Sequence, residues 1–137
     1  MLLVYFVHFK SNRGELQIDI AKREEAARQL ITHTAEMERL YSTDAKVVTV
    51  IAGDFNTDPT DSRFAEEKTF GMLRQKFEWA WENVPSSERV TLPANGRYPD
   101  ASFDGFLLRG AQVLSCKAIP IQEVSDHFPA SLTIAIH

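Results

Sequence analysis

A single cysteine, Cys116, occurs in the chain, so no intrachain disulfide can form and nothing in the composition calls for an oxidising compartment. A lone thiol of this kind fits a small buried residue in a strand better than a reactive group. Basic residues are in deficit. Fifteen Lys and Arg stand against 19 Asp and Glu, a formal net charge of −4. That excludes a grip on nucleic acid by bulk positive charge. It leaves a nuclease open, because a divalent cation and a few local bases can offset a carboxylate cluster. No apolar run approaches the roughly 20 residues of a membrane span. The longest early run, Met1 to Val7, stops at His8 and has neither a basic leader nor a small-residue cleavage site. It reads as a strand rather than a signal peptide. There is no repeat and no low-complexity tract. No glycine-rich phosphate loop follows either early strand, which argues against a doubly wound nucleotide binder.

What is present suits one domain, residues 1–137. The hydrophobic fraction is 44%, and a chain of this length buries about two-thirds of its unfolded surface. Leu2 to Val7 is a continuous apolar run and predicts a buried strand. From about Glu15 to Tyr41, Leu16, Ile20, Ala27, Leu30 or Ile31, Thr34, Met37 and Tyr41 recur every three or four residues, which predicts a helix. Lys22, Arg23, Glu24, Glu25, Arg28, Glu36, Glu38 and Arg39 then fall on a solvated face. Lys46 to Ala52 predicts a second buried strand. Asp58-Pro59 suits a helix start, with Phe64, Phe70, Leu73, Phe77 and Trp81 as its stripe and Trp79 off it. Val84 to Ala101 is a long Pro-, Ser-, Asn- and Gly-containing loop of the kind that carries specificity. Ser102 to Leu108 and Ala111 to Ala118 flank Arg109-Gly110, which reads as a hairpin turn, and Ala130 to Ile136 is the last strand. The order predicts a mixed α/β (α+β) layer: one mixed sheet with helices on one face. The strands are apolar on both sides, so the face without helices must pack on something.

Polar clusters stand where these strands stop. His8-Phe9-Lys10-Ser11 follows the first, Gly53-Asp54-Phe55-Asn56 the second, and Ser125-Asp126-His127-Phe128-Pro129 precedes the last. Asp104 sits inside an apolar strand, where a carboxylate is costly unless paired, and a histidine is a suitable partner. Each has a plainer reading: a hydrogen-bonded structural His8, an Asx turn at Asp54-Phe55-Asn56, a polar turn at Asp126-His127. Together they supply what metal-assisted hydrolysis of a phosphate ester needs. Lys10, Arg13, Arg97 and Arg109 are bases that could meet phosphate.

With these motifs the chain resembles the endonuclease/exonuclease/phosphatase superfamily, specifically its C-terminal half. These metal-dependent phosphoesterases include deoxyribonucleases, abasic-site endonucleases, inositol polyphosphate phosphatases, sphingomyelinases and deadenylases. The matching residues run from His8 to Pro129, and the Gly-Asp-Phe-Asn and Ser-Asp-His-Phe-Pro pair is the most specific part. The resemblance implies one half of a four-layer α/β sandwich and a metal-dependent hydrolase using Mg²⁺ or Mn²⁺. It implies that Asp126 helps bind the metal and that His127, oriented by Asp104, is general base or phosphate ligand. Asp54 positions or activates the attacking water, Asn56 holds a phosphate oxygen, and His8 stabilises the phosphorus centre or the leaving oxygen. Nucleic acid, inositol phosphate and phospholipid headgroup all remain open as substrates, and the compartment is unassigned. The sequence departs from the pattern at Phe9, where Leu is usual, and at Gly105-Phe106. The family's N-terminal half, with its Asn and its metal-binding Glu, has no counterpart here. A half of this kind is expected to expose the inner face of its sheet, which a second copy or a partner chain would cover. The rival reading is an inactive binding or assembly module that keeps the motifs.

Overall fold

The computed structural model describes residues 1–42, 46–121, 123 and 125–136. Strand β1 (Leu2–His8) leads to helix α1 (Leu16–Tyr41), which returns the chain to β2 (Val48–Asp54). A short helix α2 (Thr69–Leu73), a two-residue strand β3 (Glu78–Trp79), β4 (Asp104–Arg109), β5 (Gln112–Ala118) and β6 (Ala130–Ala135) follow. The main sheet has the order β1-β2-β4-β3, with β1 parallel to β2 and β4 antiparallel to both neighbours. β5 and β6 form a separate antiparallel pair. The fold is therefore mixed α+β, as the element pattern predicts.

The parallel β1–β2 pair brings two chain ends, at His8 and Asp54, to one edge of the sheet. Gly53 makes that approach feasible. Its φ is +144°, and a Cβ there would lie 2.0 Å from the Val7 carbonyl oxygen. Register then stacks three rows on one sheet face: Val4–Val50–Leu108, Phe6–Ala52–Phe106 and His8–Asp54–Asp104. Two rows are apolar and the third, at the sheet's edge, is ionisable. The opposite face carries Tyr5, Ile51 and Leu107 and packs under the helices, with Tyr5 edge-on to His33 of α1 at 5.8 Å. Ile51, Leu73, Leu107 and Leu108 are fully buried. Truncating any of them to Ala costs about 2–5 kcal/mol.

Four sequence expectations are corrected. Asp58-Pro59 opens a turn, in which Asp58 Oδ1 accepts from the Thr60 N–H at 2.9 Å, and no helix starts there. The aromatic stripe is split over a 3₁₀ turn at Ser62–Phe64, the five-residue α2 and further turns, although every member is buried. Off that stripe, Trp79 is buried too, in β3. Arg109-Gly110 joins no hairpin: β4 pairs with β2 and β3, whereas β5 pairs with β6, so the chain changes sheets there. The charged side of α1 is not uniformly solvated. Arg23 is fully buried against Glu67, and Glu38 pairs with Arg109 and accepts from Thr49 Oγ1.

The face without helices is partly covered. Inward residues of the β5–β6 pair, among them Val113, Leu132 and Ile134, join the core that holds Val48, Val50 and Leu108. The cover stops short of β1, the sheet's edge strand, where Leu2, Val4 and Phe6 are 50%, 46% and 86% exposed. Cys116 is buried in β5, and burial pushes its thiol up to about 12.

Candidate active site

The ionisable row is the nucleus of the site. Asp54 ends β2 and Asp104 begins β4 directly opposite it. The loop before β6 lowers His127 onto the pair, and its Nδ1 lies 2.6 Å from Asp104 Oδ2. One donor atom from each of Asp54, Asp104 and His127 falls within 4.8 Å of the others. His8 Nε2 stands 3.6 Å from Asp54 Oδ2 on a side chain that is 74% exposed. A cleft of about 1030 Å³ opens over this row. Asn56, Asp126, Lys10, Arg13 and Arg63 line it, with Phe64, Tyr98 and Phe103 on an aromatic side. All six predicted site residues except Asp104 line the cleft; Asp104 sits behind His127.

Local structure explains how each group is held. Asp54 Oδ1 accepts the Asn56 N–H at 2.8 Å, an Asx turn, so the plainer reading of this motif also holds. Asn56 is left-handed, with φ +53°, a conformation asparagine tolerates. Its side-chain amide donates to the Phe9 carbonyl at 3.0 Å and so ties the two strand ends together. Ser125 Oγ accepts the His127 N–H at 3.0 Å and shapes the turn that carries the imidazole.

The electrostatics set the groups apart. Burial, then the charge of Asp104, raises the Asp54 carboxyl above its ordinary range, against the opposing effects of the Asn56 N–H, His127 and His8. Burial alone would lower the His127 imidazole. The Asp104 hydrogen bond and the charges of Asp104, Asp54 and Asp126 outweigh it and leave His127 raised, so its cationic form is favoured. The donor set suits a hard divalent cation. Two carboxylates repel each other in a half-buried row, and His127 Nδ1 already faces Asp104. Asp54, Asp104 and His127 could each offer one atom to such a cation, and the exposed Asp126 lines the same cleft.

Several residues that hold the site escape sequence reading. Arg23 Nη1 donates to the Lys10 carbonyl at 2.9 Å and to Asn12 Oδ1 at 2.8 Å, and Asn12 passes a bond on to the Asn56 carbonyl at 2.8 Å. The indole N–H of Trp81 donates to the Asp104 carbonyl at 3.0 Å. Gly105 admits that indole, since a Cβ there would lie 2.5 Å from Trp81 Nε1. The departure from the family pattern at Gly105 is therefore matched to a buried tryptophan. One signal was available: Asp19, Arg23 and Ala27 are spaced by four residues on one helix face, and all are buried. Among the bases considered, Lys10 and Arg13 line the cleft. Arg97 stacks on Tyr98, and Arg109 lies away from the cleft with Glu38 and Phe77. Arg63, paired with Asp61, also lines the cleft.

This mixed α+β architecture has counterparts among solved structures. D. rerio TDP2 humanized by 14 mutations superposes with TM-score 0.62 at 18% identity, over 98% of this chain and 55% of that one. TDP2 from C. elegans gives 0.58 at 16% identity, over 94% and 40%. A functionally unknown conserved protein from Enterococcus faecalis V583 gives 0.58 at 21%, over 98% and 50%. TDP2 is an enzyme of the endonuclease/exonuclease/phosphatase fold, so the TDP2 structures have the fold that the motifs imply. At these identities the likeness shows the fold alone, and the chain spans about half the length of these structures. No family model and no curated protein matches the sequence.

Proposed function

We propose that the chain carries the site of a metal-dependent phosphoesterase that cleaves a phosphate ester with water. The observation that carries this reading is the Asp54–Asp104–His127 cluster at the floor of a cleft whose rim bears Lys10, Arg13 and Arg63. The fold shared with TDP2 supports it. In this reading the substrate phosphate enters between the basic rim and the ionisable row. Asp54, whose carboxylate is raised by burial and by Asp104, aligns the attacking water and takes up its proton. His127, held cationic by Asp104, donates from its free ring nitrogen to a phosphoryl oxygen and stabilises charge as it builds there. His8, exposed beside Asp54, meets the leaving oxygen. The spare amide hydrogen of Asn56 faces a second phosphoryl oxygen. Asp126 would help hold Mg²⁺ or Mn²⁺, which when bound would neutralise phosphate charge and polarise the ester.

The apolar strip at Leu2, Val4 and Phe6 runs straight into His8 on the same sheet face. A second copy or a partner chain seated on the strip would therefore also wall the cleft. The experiment is hydrolysis of plasmid DNA, an inositol polyphosphate and a phosphocholine lipid with Mg²⁺ or Mn²⁺, beside Asp54→Ala. Cleavage of one substrate class, lost in the variant, supports the reading and names the substrate. A well-folded protein that cleaves none of them, at any metal concentration, contradicts it and favours a binding module.

A further inference from the structure

The Asp104–His127 pair joins two parts of the molecule that lie in different sheets. Asp104 begins β4 of the main sheet, and His127 stands in the loop that leads into β6 of the two-stranded sheet. Thr91, in the long loop before β4, touches both. Its hydroxyl oxygen accepts the Asp104 backbone N–H at 3.0 Å. Its carbonyl accepts the N–H of Phe128, next to His127, at 2.6 Å. Its own N–H donates to the Ala101 carbonyl at 2.9 Å, and it is fully buried. Buried polar groups bonded in this way fix geometry, because a displaced partner loses a hydrogen bond it cannot replace with water.

We propose that Thr91 is the positioning residue for the Asp104–His127 pair: one buried threonine sets the strand that bears the carboxylate against the loop that bears the imidazole. Thr91 touches no reacting atom. It acts through Asp104 and Phe128, whose backbones it holds one residue or less from the pair. Val keeps the shape of Thr91 and its backbone bonds but removes the acceptor for the Asp104 N–H. Ser keeps that acceptor.

The reaction readout of this inference rests on the phosphoesterase reading, but its first readout does not. A ring N–H bonded to a carboxylate gives a far-downfield proton resonance, here assigned by its loss in His127→Ala. In Thr91→Val, with the amide spectrum otherwise intact, that resonance is expected to broaden away or move upfield; in Thr91→Ser it stays. Against a phosphodiester, Thr91→Val is expected to lower kcat about tenfold or more with KM unchanged, and Thr91→Ser to restore it to within about twofold. An unaltered resonance in Thr91→Val overturns the proposal, whatever the activity. If Thr91→Val does not fold, Thr91→Ala takes its place. Unfolding of both assigns Thr91 to core stability and overturns the proposal as well. Absence of activity in the unsubstituted chain bears on the phosphoesterase reading only, and the resonance still decides the role of Thr91.

Discussion

Asp54 and His127 both hold a proton more tightly in the fold, so both favour the folded chain at low pH, and both effects are testable at the residue scale. Asp54 has a raised carboxyl in the fold, mainly through burial and then through Asp104. Its protonated form is the better tolerated one. Its contribution to stability is greatest at low pH and is lost as the pH rises through the folded value, so at neutral pH it is a cost. Asp54→Asn keeps the oxygen that accepts the Asn56 N–H and removes the charge. It is expected to raise the Tm of the metal-free protein at pH 7 and to leave it nearly unchanged near pH 3; a lower Tm at pH 7 contradicts the assignment. His127 has the same sign, although here the form favoured at low pH is the charged one. Its raised value means its cation is stabilising below the ordinary imidazole range, and that contribution is lost as the pH rises through the folded value. If the cationic ring meets the phosphoryl oxygen, kcat/KM has a basic limb above the ordinary imidazole value of 6.5. Asp104→Asn removes the charge that raises it, so the limb moves to lower pH. A limb that stays in place rules out the Asp104–His127 coupling as its origin.

At the scale of elements, the site depends on three packed connections: β1 to β2 through Gly53, α1 to the strand-end loops through Arg23, and Trp81 to β4 through Gly105. Gly105→Ala drives a methyl to within 2.5 Å of the indole nitrogen and forces the ring off the Asp104 carbonyl. Overpacking of this kind costs about 1–3 kcal/mol. A denaturant midpoint shifted by that amount, with m unchanged, is the expected result; an unshifted midpoint means the indole moves freely. Here the limits of sequence reading have a physical cause. β1, α1, β2 and β6 were legible because their apolar period is local and each is a single unbroken run. The segment from Asp58 to Trp81 was not. Its apolar residues recur at helical spacing, yet tertiary contacts bury them from turns and 3₁₀ pieces as well. The placement of β5 depended on a partner, β6, distant in sequence, which a turn at Arg109-Gly110 could not reveal. The motif residues could be picked out because they end strands. Register sets Asp54 opposite Asp104 and the loop before β6 adds His127, while Thr91 and Arg23 became visible only through their hydrogen bonds.

At the scale of the whole molecule, the chain combines a finished core with an unfinished face. Among the described residues no helix is long and apolar enough to cross a membrane, so the exposed strip at Leu2, Val4 and Phe6 is not part of a spanning helix. It lies on an edge strand that bears no charge before His8, and such edges associate. Phe6→Lys is expected to reduce self-association in size-exclusion chromatography with light scattering, while the circular dichroism spectrum stays unchanged. A monomeric mass for the unsubstituted chain at micromolar concentration removes the second-copy arrangement. The phosphoesterase reading assigns hydrolysis to the Asp54–Asp104–His127 row. Its most direct test is the rate of bis-p-nitrophenyl phosphate hydrolysis with Mn²⁺ or Mg²⁺, on a chromatographic peak of known mass, beside His127→Ala and a chelator. Turnover that the chelator abolishes and that His127→Ala lowers by about 10²–10³-fold is the expected result. Turnover unchanged in His127→Ala, or none in a folded sample, would contradict the reading.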